Sequence, residues 1–227
     1  QELMDSLSVV PAGMLINAIF LSVWIYLPRA TASLGSERSL AVTTATALLA
    51  WAMFGMVTIL CIGELSEYGT GPRTIGMIGI ALTAVFGIVL GWKPDESPKG
   101  SREVSKSILL ARGLMAATAI GASVWVAGLG YPLLAGLASV FPAIFLTSMV
   151  SLWISQGPSV PRGAAAPMLL GGGSVGVYSL VAMYSLEAHG IILGSIMSWV
   201  TAVAVWSMPS YIYLRWRTGA VSYTHLT

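Results

Sequence analysis

The sequence predicts an all-α fold, a polytopic bundle of membrane-spanning helices. Three observations carry that expectation: 56% of the 227 residues are hydrophobic and only 9% are charged, the mean hydropathy is +0.83, and uncharged runs recur at the length a bilayer demands. A hydrocarbon core about 30 Å thick needs roughly 20 apolar residues of helix to cross it. Soluble domains carry far more charge. The formal net charge of +2 decides nothing by itself, because the side on which each Lys and Arg falls matters more than their sum.

Seven runs meet the length requirement. Leu7 to Leu27 is uncharged and is expected to stop at Pro28-Arg29, where proline and charge coincide. Leu40 to Gly63 ends at Glu64 and the polar loop "ELSEYGTGPR"; Thr74 to Trp92 ends at Lys93. Residues 93–107 follow, with 7 of 15 residues charged, two prolines and a glycine, the composition of a solvated linker. Gly113 to Ile154 is then free of charge for 42 residues, enough for two spans. "GLGYP", Gly128 to Pro132, supplies the turn between them, giving helices over 108–128 and 132–154. A proline-rich loop, "SQGPSVPRGAAA", precedes the last spans, 167–186 and 191–214, which "EAHG" separates.

The charges test this parsing. If all seven runs cross, Arg29, Arg38, Lys93, Lys99, Arg102, Lys106, Arg112, Arg162, Arg215 and Arg217 share one side and Arg73 stands alone on the other, so ten of the eleven basic residues mark one face. By the positive-inside rule that face, with the linker and the C-terminus, is expected to be cytoplasmic and the first residues opposite. The single cysteine, Cys61, cannot form an internal disulfide. "VSYTHLT", Val221 to Thr227, matches a translated transposase sequencing adaptor and is read as a scar rather than as fold.

The two halves resemble each other. "VPAGMLINAIFLSVWI", Val10 to Ile25, aligns with "FPAIFLTSMVSLWI", Phe141 to Ile154: each opens on Pro-Ala and closes on Trp-Ile. Pro28-Arg29 and Pro161-Arg162 follow, and both second helices end at an acidic residue, Glu64 and Glu187. This layout predicts two parallel four-helix repeats, 1–92 and 108–217. The first helix of the first repeat is expected to precede Gln1. The segments "LAGLASVFPAIFL", Leu134 to Leu146, and "GSERSLA", Gly35 to Ala41, resemble the small four-helix bacterial inner-membrane proteins of the GlpM type. In those, an Ala-Gly-Leu and Phe-Pro element opens the second helix and a Gly-Ser-Glu-Arg-Ser loop follows it. The second half departs from the pattern, with "SQGPSVPRG" at the loop. The resemblance implies a membrane location and a repeat architecture, not a substrate.

Candidates for chemistry are few. Ionisable residues inside a bilayer mark function by default, and here only Arg112 qualifies, one turn into its span, where it can snorkel to the head groups or bind an anion. Glu64 and Glu187, at matching helix ends, are candidates for gating or ion contact, and His189 with Glu187 is too small a set for a metal site. No hydrolase elbow, P-loop lysine or zinc motif occurs, so neither an enzyme nor a cofactor is expected. "GGGSVG", Gly171 to Gly176, reads as a packing face, as do the Gly-x-x-x-Gly pairs Gly172/Gly176, Gly87/Gly91 and Gly190/Gly194. Matching Pro-interrupted segments in two halves point to a transporter's central site, which selects Pro11, Asn17, Pro142, Thr147 and Ser148 as substrate-pathway residues. The competing reading is a kink satisfied by Ser and Thr hydroxyls, or, for Pro11, a simple helix start. The expected function is a transporter or permease for a small uncharged or weakly charged solute, with a non-transporting scaffold or assembly subunit as the alternative. Expected partners are the lipid bilayer, such a solute and a second copy of the chain, with no nucleic acid.

Overall fold

A computed structural model describes residues 2–68, 72–92 and 105–224, and the expected linker falls mostly outside them. These residues form helices α1 (Glu2–Ala30), α2 (Ser36–Glu67), α3 (Pro72–Trp92), α4 (Lys106–Gly128), α5 (Pro132–Ser139), α6 (Ala143–Gln156), α7 (Ser159–Ala202) and α8 (Met208–Thr224). A 3-10 turn, Ala32–Leu34, joins α1 to α2, and a π-helical stretch, Val203–Ser207, joins α7 to α8. Six segments are long and apolar enough to cross a membrane. The chain is therefore a helical membrane protein.

Helix α1 is the axis of the bundle, packed against α2, α3, α5 and α7. It is apolar on every side, and residues around its whole circumference are buried, among them Val9, Ile16, Ala18, Phe20, Leu21 and Trp24. A helix hydrophobic all round belongs in the interior. It also runs through both of its prolines, Pro11 and Pro28, so the proline expected to end the first span lies in its last turn instead. Pro11 sits well inside the helix and does not start it.

Around α1 the outer helices are inside-out relative to a soluble protein. The buried stripe of α3 is Gly76, Gly79, Thr83, Gly87 and Gly91, whereas Met77, Ile78, Leu82, Val85, Phe86 and Val89 are exposed. On α2 the buried positions include Ser39, Thr43, Ala47 and Gly55, and Leu49, Met53, Phe54, Val57 and Leu60 face out. Lipid tails are as apolar as leucine, so burying large side chains gains little; small residues win the interface because they bring backbones close.

The segment Ser159–Arg217 folds back on itself. A straight helix puts residues nine apart at about 13 Å, yet Ser185 Oγ donates to the Gly194 carbonyl at 3.0 Å and meets Ser198 Oγ at 2.7 Å. Further along, Trp206 Nε1 donates to Leu170 O at 2.6 Å. The reversal is at Gly190, with φ 75° and ψ 177°, backbone angles open essentially to glycine alone. Gly190 is thus the turn rather than half of a packing pair, while Gly194 packs on the Ser185 backbone. Gly190→Ala is expected to destabilise by about 1–2 kcal/mol, read as a lower thermal midpoint in detergent; an unchanged midpoint would remove the turn's dependence on glycine. The loop expected before this segment is shorter than the sequence implies: α7 begins at Ser159, with Pro161 in its first turn, where a missing N–H is harmless, and Pro167 inside the helix.

Contacts sort the helix ends into two groups. At one end Trp153 Nε1 donates to Ser36 Oγ at 3.2 Å, Trp24 packs edge-on to Trp153, and the Arg217 guanidinium lies 4.5 Å from the centre of the Trp92 ring. At the other, Gly136 abuts the Ser6 carbonyl, and Ile62 clusters with Val9, Val10 and Leu137.

Candidate functional site

The span expected to run unbroken over 132–154 is interrupted in its middle. Pro142 has no N–H to offer and disfavours the helical region for the residue before it. Helix α5 accordingly closes at Val140, where Val140 N–H donates to Leu137 O and Phe141 N–H to Ala138 O, each at 3.1 Å. Helix α6 then starts afresh, with Leu146 N–H donating to Pro142 O at 2.7 Å. This interruption leaves the Val140 carbonyl without a helical donor inside a membrane-spanning segment, where no bulk water can satisfy it.

Asn17 fills that vacancy. Its Nδ2 donates to Val140 O at 3.1 Å, and its Oδ1 accepts from Trp51 Nε1 at 3.0 Å, so one side chain only 1% exposed ties α1 to α2 and to the α5–α6 break. One turn earlier on α1, Gly13 lets Val140 approach, since a Cβ there would run into the valine side chain. Trp51 is held from its other side by Phe141, edge-on with ring centres 5.2 Å apart. A cavity of about 480 Å³ beside the break is lined by Trp51, Leu114, Thr118, Ala138 and Phe141.

The other expected pathway residues divide. Pro11 is clasped by glycines, with Gly79 of α3 and Gly176 of α7 both against its backbone. Thr147 Oγ1 donates to Ala143 O at 2.8 Å, the usual return of a helical hydroxyl to the carbonyl four residues back. Ser22, Thr58, Thr83, Thr118, Ser155 and Thr201 do the same. Ser148 Oγ does not: it is buried and unpartnered, as are Thr43 Oγ1 on α2 and Trp24 Nε1 on α1. Trp24 belongs to a core cluster that also contains Ala47, one turn on from Thr43, and Met149, next to Ser148. Buried polar atoms are nearly always satisfied, which sets these three apart from the other helical hydroxyls and indoles. The structure thus brings Asn17 to the Pro142 break directly, whereas Thr147 turns back on its own helix.

Sequence reasoning missed Thr43, Trp51 and Trp24. The first two lie on the four-residue stripe Ser39, Thr43, Ala47, Trp51, Gly55, a signal that was readable. Glu64, Glu187 and His189 are exposed, and among the described residues no group of three His, Cys, Asp or Glu could hold a metal ion. The described polar groups at the break, Asn17 and Trp51, are neutral donors and acceptors. A scan of protein-family models and searches of curated proteins and of solved structures find no match to this chain.

Proposed function

We propose that this membrane protein is a transporter or permease for a small, uncharged or weakly charged solute. The observation that carries the reading is the interrupted span α5–α6, whose broken backbone is held by Asn17, while about two turns along the same helices Ser148, Thr43 and Trp24 keep unpartnered polar atoms. Discontinuous helices at membrane depth are characteristic of transporter sites, where irregular backbone lines a path rather than lipid. In this reading the fold-back at Gly190 divides Ser159–Arg217 into two crossings, making seven. The end that gathers Arg29, Ser36, Trp92 and Arg217 is then the cytoplasmic one. The chain is a tandem of parallel repeats of the GlpM-like kind, and Asn17 bridges the first repeat to the second. Rocking of one repeat against the other would break and remake that bridge. The neutral lining selects hydrogen-bonding solutes and disfavours coupling through a titrating carboxylate.

Cysteine accessibility tests this. In a Cys61→Ser background, Ser148→Cys and Thr43→Cys are expected to react in membranes with a small charged thiol reagent, whereas Val57→Cys on the exposed face of α2 stays protected. Equal protection at all three positions would sink the pathway. It would favour instead the scaffold reading, which draws on the full use of Asn17 as a clasp and predicts a partner that survives detergent purification.

A further inference from the structure

We infer that the groove between the C-terminal ends of α1 and α3 binds the phosphate-bearing head of an anionic phospholipid, with the acyl chain lying along α3. The groove has a volume of about 530 Å³ and is lined by Tyr26 and Arg29 of α1 and by Ile88, Val89 and Trp92 of α3. Its chemistry changes along its length as a lipid's does: Ile88 and Val89 are exposed apolar side chains, and one turn on come Trp92 and the exposed Arg29. Among the described residues no acidic side chain lines it. A second cation stands beside it, since the Arg217 guanidinium packs 4.5 Å from the Trp92 ring centre and its Nε is buried with no hydrogen-bond partner. The wall is fixed rather than adventitious: Tyr213 Oη donates to the Ile88 carbonyl at 2.9 Å, tying α8 to α3 at this level.

A tryptophan at the boundary of the hydrocarbon, basic side chains beyond it and an aliphatic shelf beneath are what an anionic lipid requires of its site. Arginine is suited to the phosphate because its planar fork offers two parallel N–H donors to two oxygens. The inference rests on the membrane placement of these helices and is independent of transport.

The test is the thermal midpoint of the full chain in a neutral detergent, with added phosphatidylglycerol, phosphatidylcholine of the same chains, or glycerol 1-phosphate. Phosphatidylglycerol is expected to raise the midpoint by about 4 °C or more, and the other two to leave it in place. Arg29→Gln should lose at least half of that shift, Arg29→Lys should keep most of it, and Arg38→Gln, at the start of α2, should keep all of it. An equal shift from phosphatidylcholine would mean a purely apolar groove. A shift from glycerol 1-phosphate alone would mean a soluble-anion site. Either result, or a full shift in Arg29→Gln, overturns the proposal. Native mass spectrometry of the unmodified chain gives an independent reading: preferential retention of phosphatidylglycerol over phosphatidylcholine supports the site, and equal retention overturns it.

Discussion

Asn17→Leu is expected to destabilise the protein by about 2–3 kcal/mol, lowering the thermal midpoint in detergent by roughly 5–10 °C. Leucine has the same number and branching of side-chain heavy atoms as asparagine but bulkier methyl groups, so the change leaves no cavity. It removes two hydrogen bonds at once and leaves the Val140 carbonyl and the Trp51 indole N–H without their partners. An interhelical hydrogen bond in a bilayer contributes on average only about 0.6 kcal/mol, which by itself predicts little more than 1 kcal/mol for the pair. The larger expectation comes from the Val140 carbonyl, whose helical donor Pro142 has already displaced. Trp51→Phe orphans only Asn17 Oδ1 and should cost about 1 kcal/mol. Because the two residues share a bond, the double variant should cost less than the sum of the singles. A midpoint unmoved by Asn17→Leu would show that water, not Asn17, satisfies the break. Strict additivity would show that Asn17 and Trp51 act separately.

Much of the fold was readable because a bilayer imposes one dominant constraint. Uncharged length locates crossing segments with little help from tertiary context, so the runs beginning near Leu7, Leu40, Thr74 and Ile108 all reappear as helices, extended by two to five residues at most of their ends. Those extensions are turns such as Ser36–Ser39 and Glu64–Glu67, which are polar enough to end an apolar count yet remain hydrogen-bonded helix. Prolines were harder to read. Pro161 looks like a stop and is accommodated in a first turn, where its missing N–H would have no helical partner anyway; Pro28 also looks like a stop and sits in the last turn of α1, where it forgoes only the bond to the Trp24 carbonyl. Pro142 looks like a kink and is a full break, because the donor that replaces the lost helical bond comes from Asn17, 123 residues away. The repeat paired Pro11 with Pro142, and Asn17 with Thr147 and Ser148, so sequence placed Asn17 and Pro142 in one pathway set. It gave no sign that they touch, since contact depends on Gly13 being bare at the crossing. Thr43 and Ser148 were invisible as orphans for a similar reason: a helical hydroxyl normally returns to its own backbone, and only coordinates reveal which ones have turned away.

Gly79→Val should be strongly damaging, destabilising by about 3 kcal/mol or more. The position of an added Cβ falls 3.1 Å from both Ala12 N and Pro11 C, and 3.2 Å from Ala12 Cα. These are backbone atoms of the central helix and cannot swing aside as a side-chain tip would. Nor can α1 retreat, because Gly176 of α7 presses on Pro11 from another direction, its Cβ position 3.4 Å from Pro11 Cα. Valine would have to part α3 from α1 along the stripe Gly76, Gly79, Thr83, Gly87, and dispersion lost along that whole contact is what makes the cost large. Gly171→Val is the control, since nothing lies within 4 Å of its added Cβ, and replacing glycine in an open helical position is neutral or mildly favourable. A midpoint lowered by roughly 6–12 °C in Gly79→Val and unchanged in Gly171→Val is the expected result. Equal losses would assign the effect to β-branching in a helix and not to close approach. The contrast isolates what holds this bundle together: α1 supplies the large side chains, and its neighbours supply the absence of them.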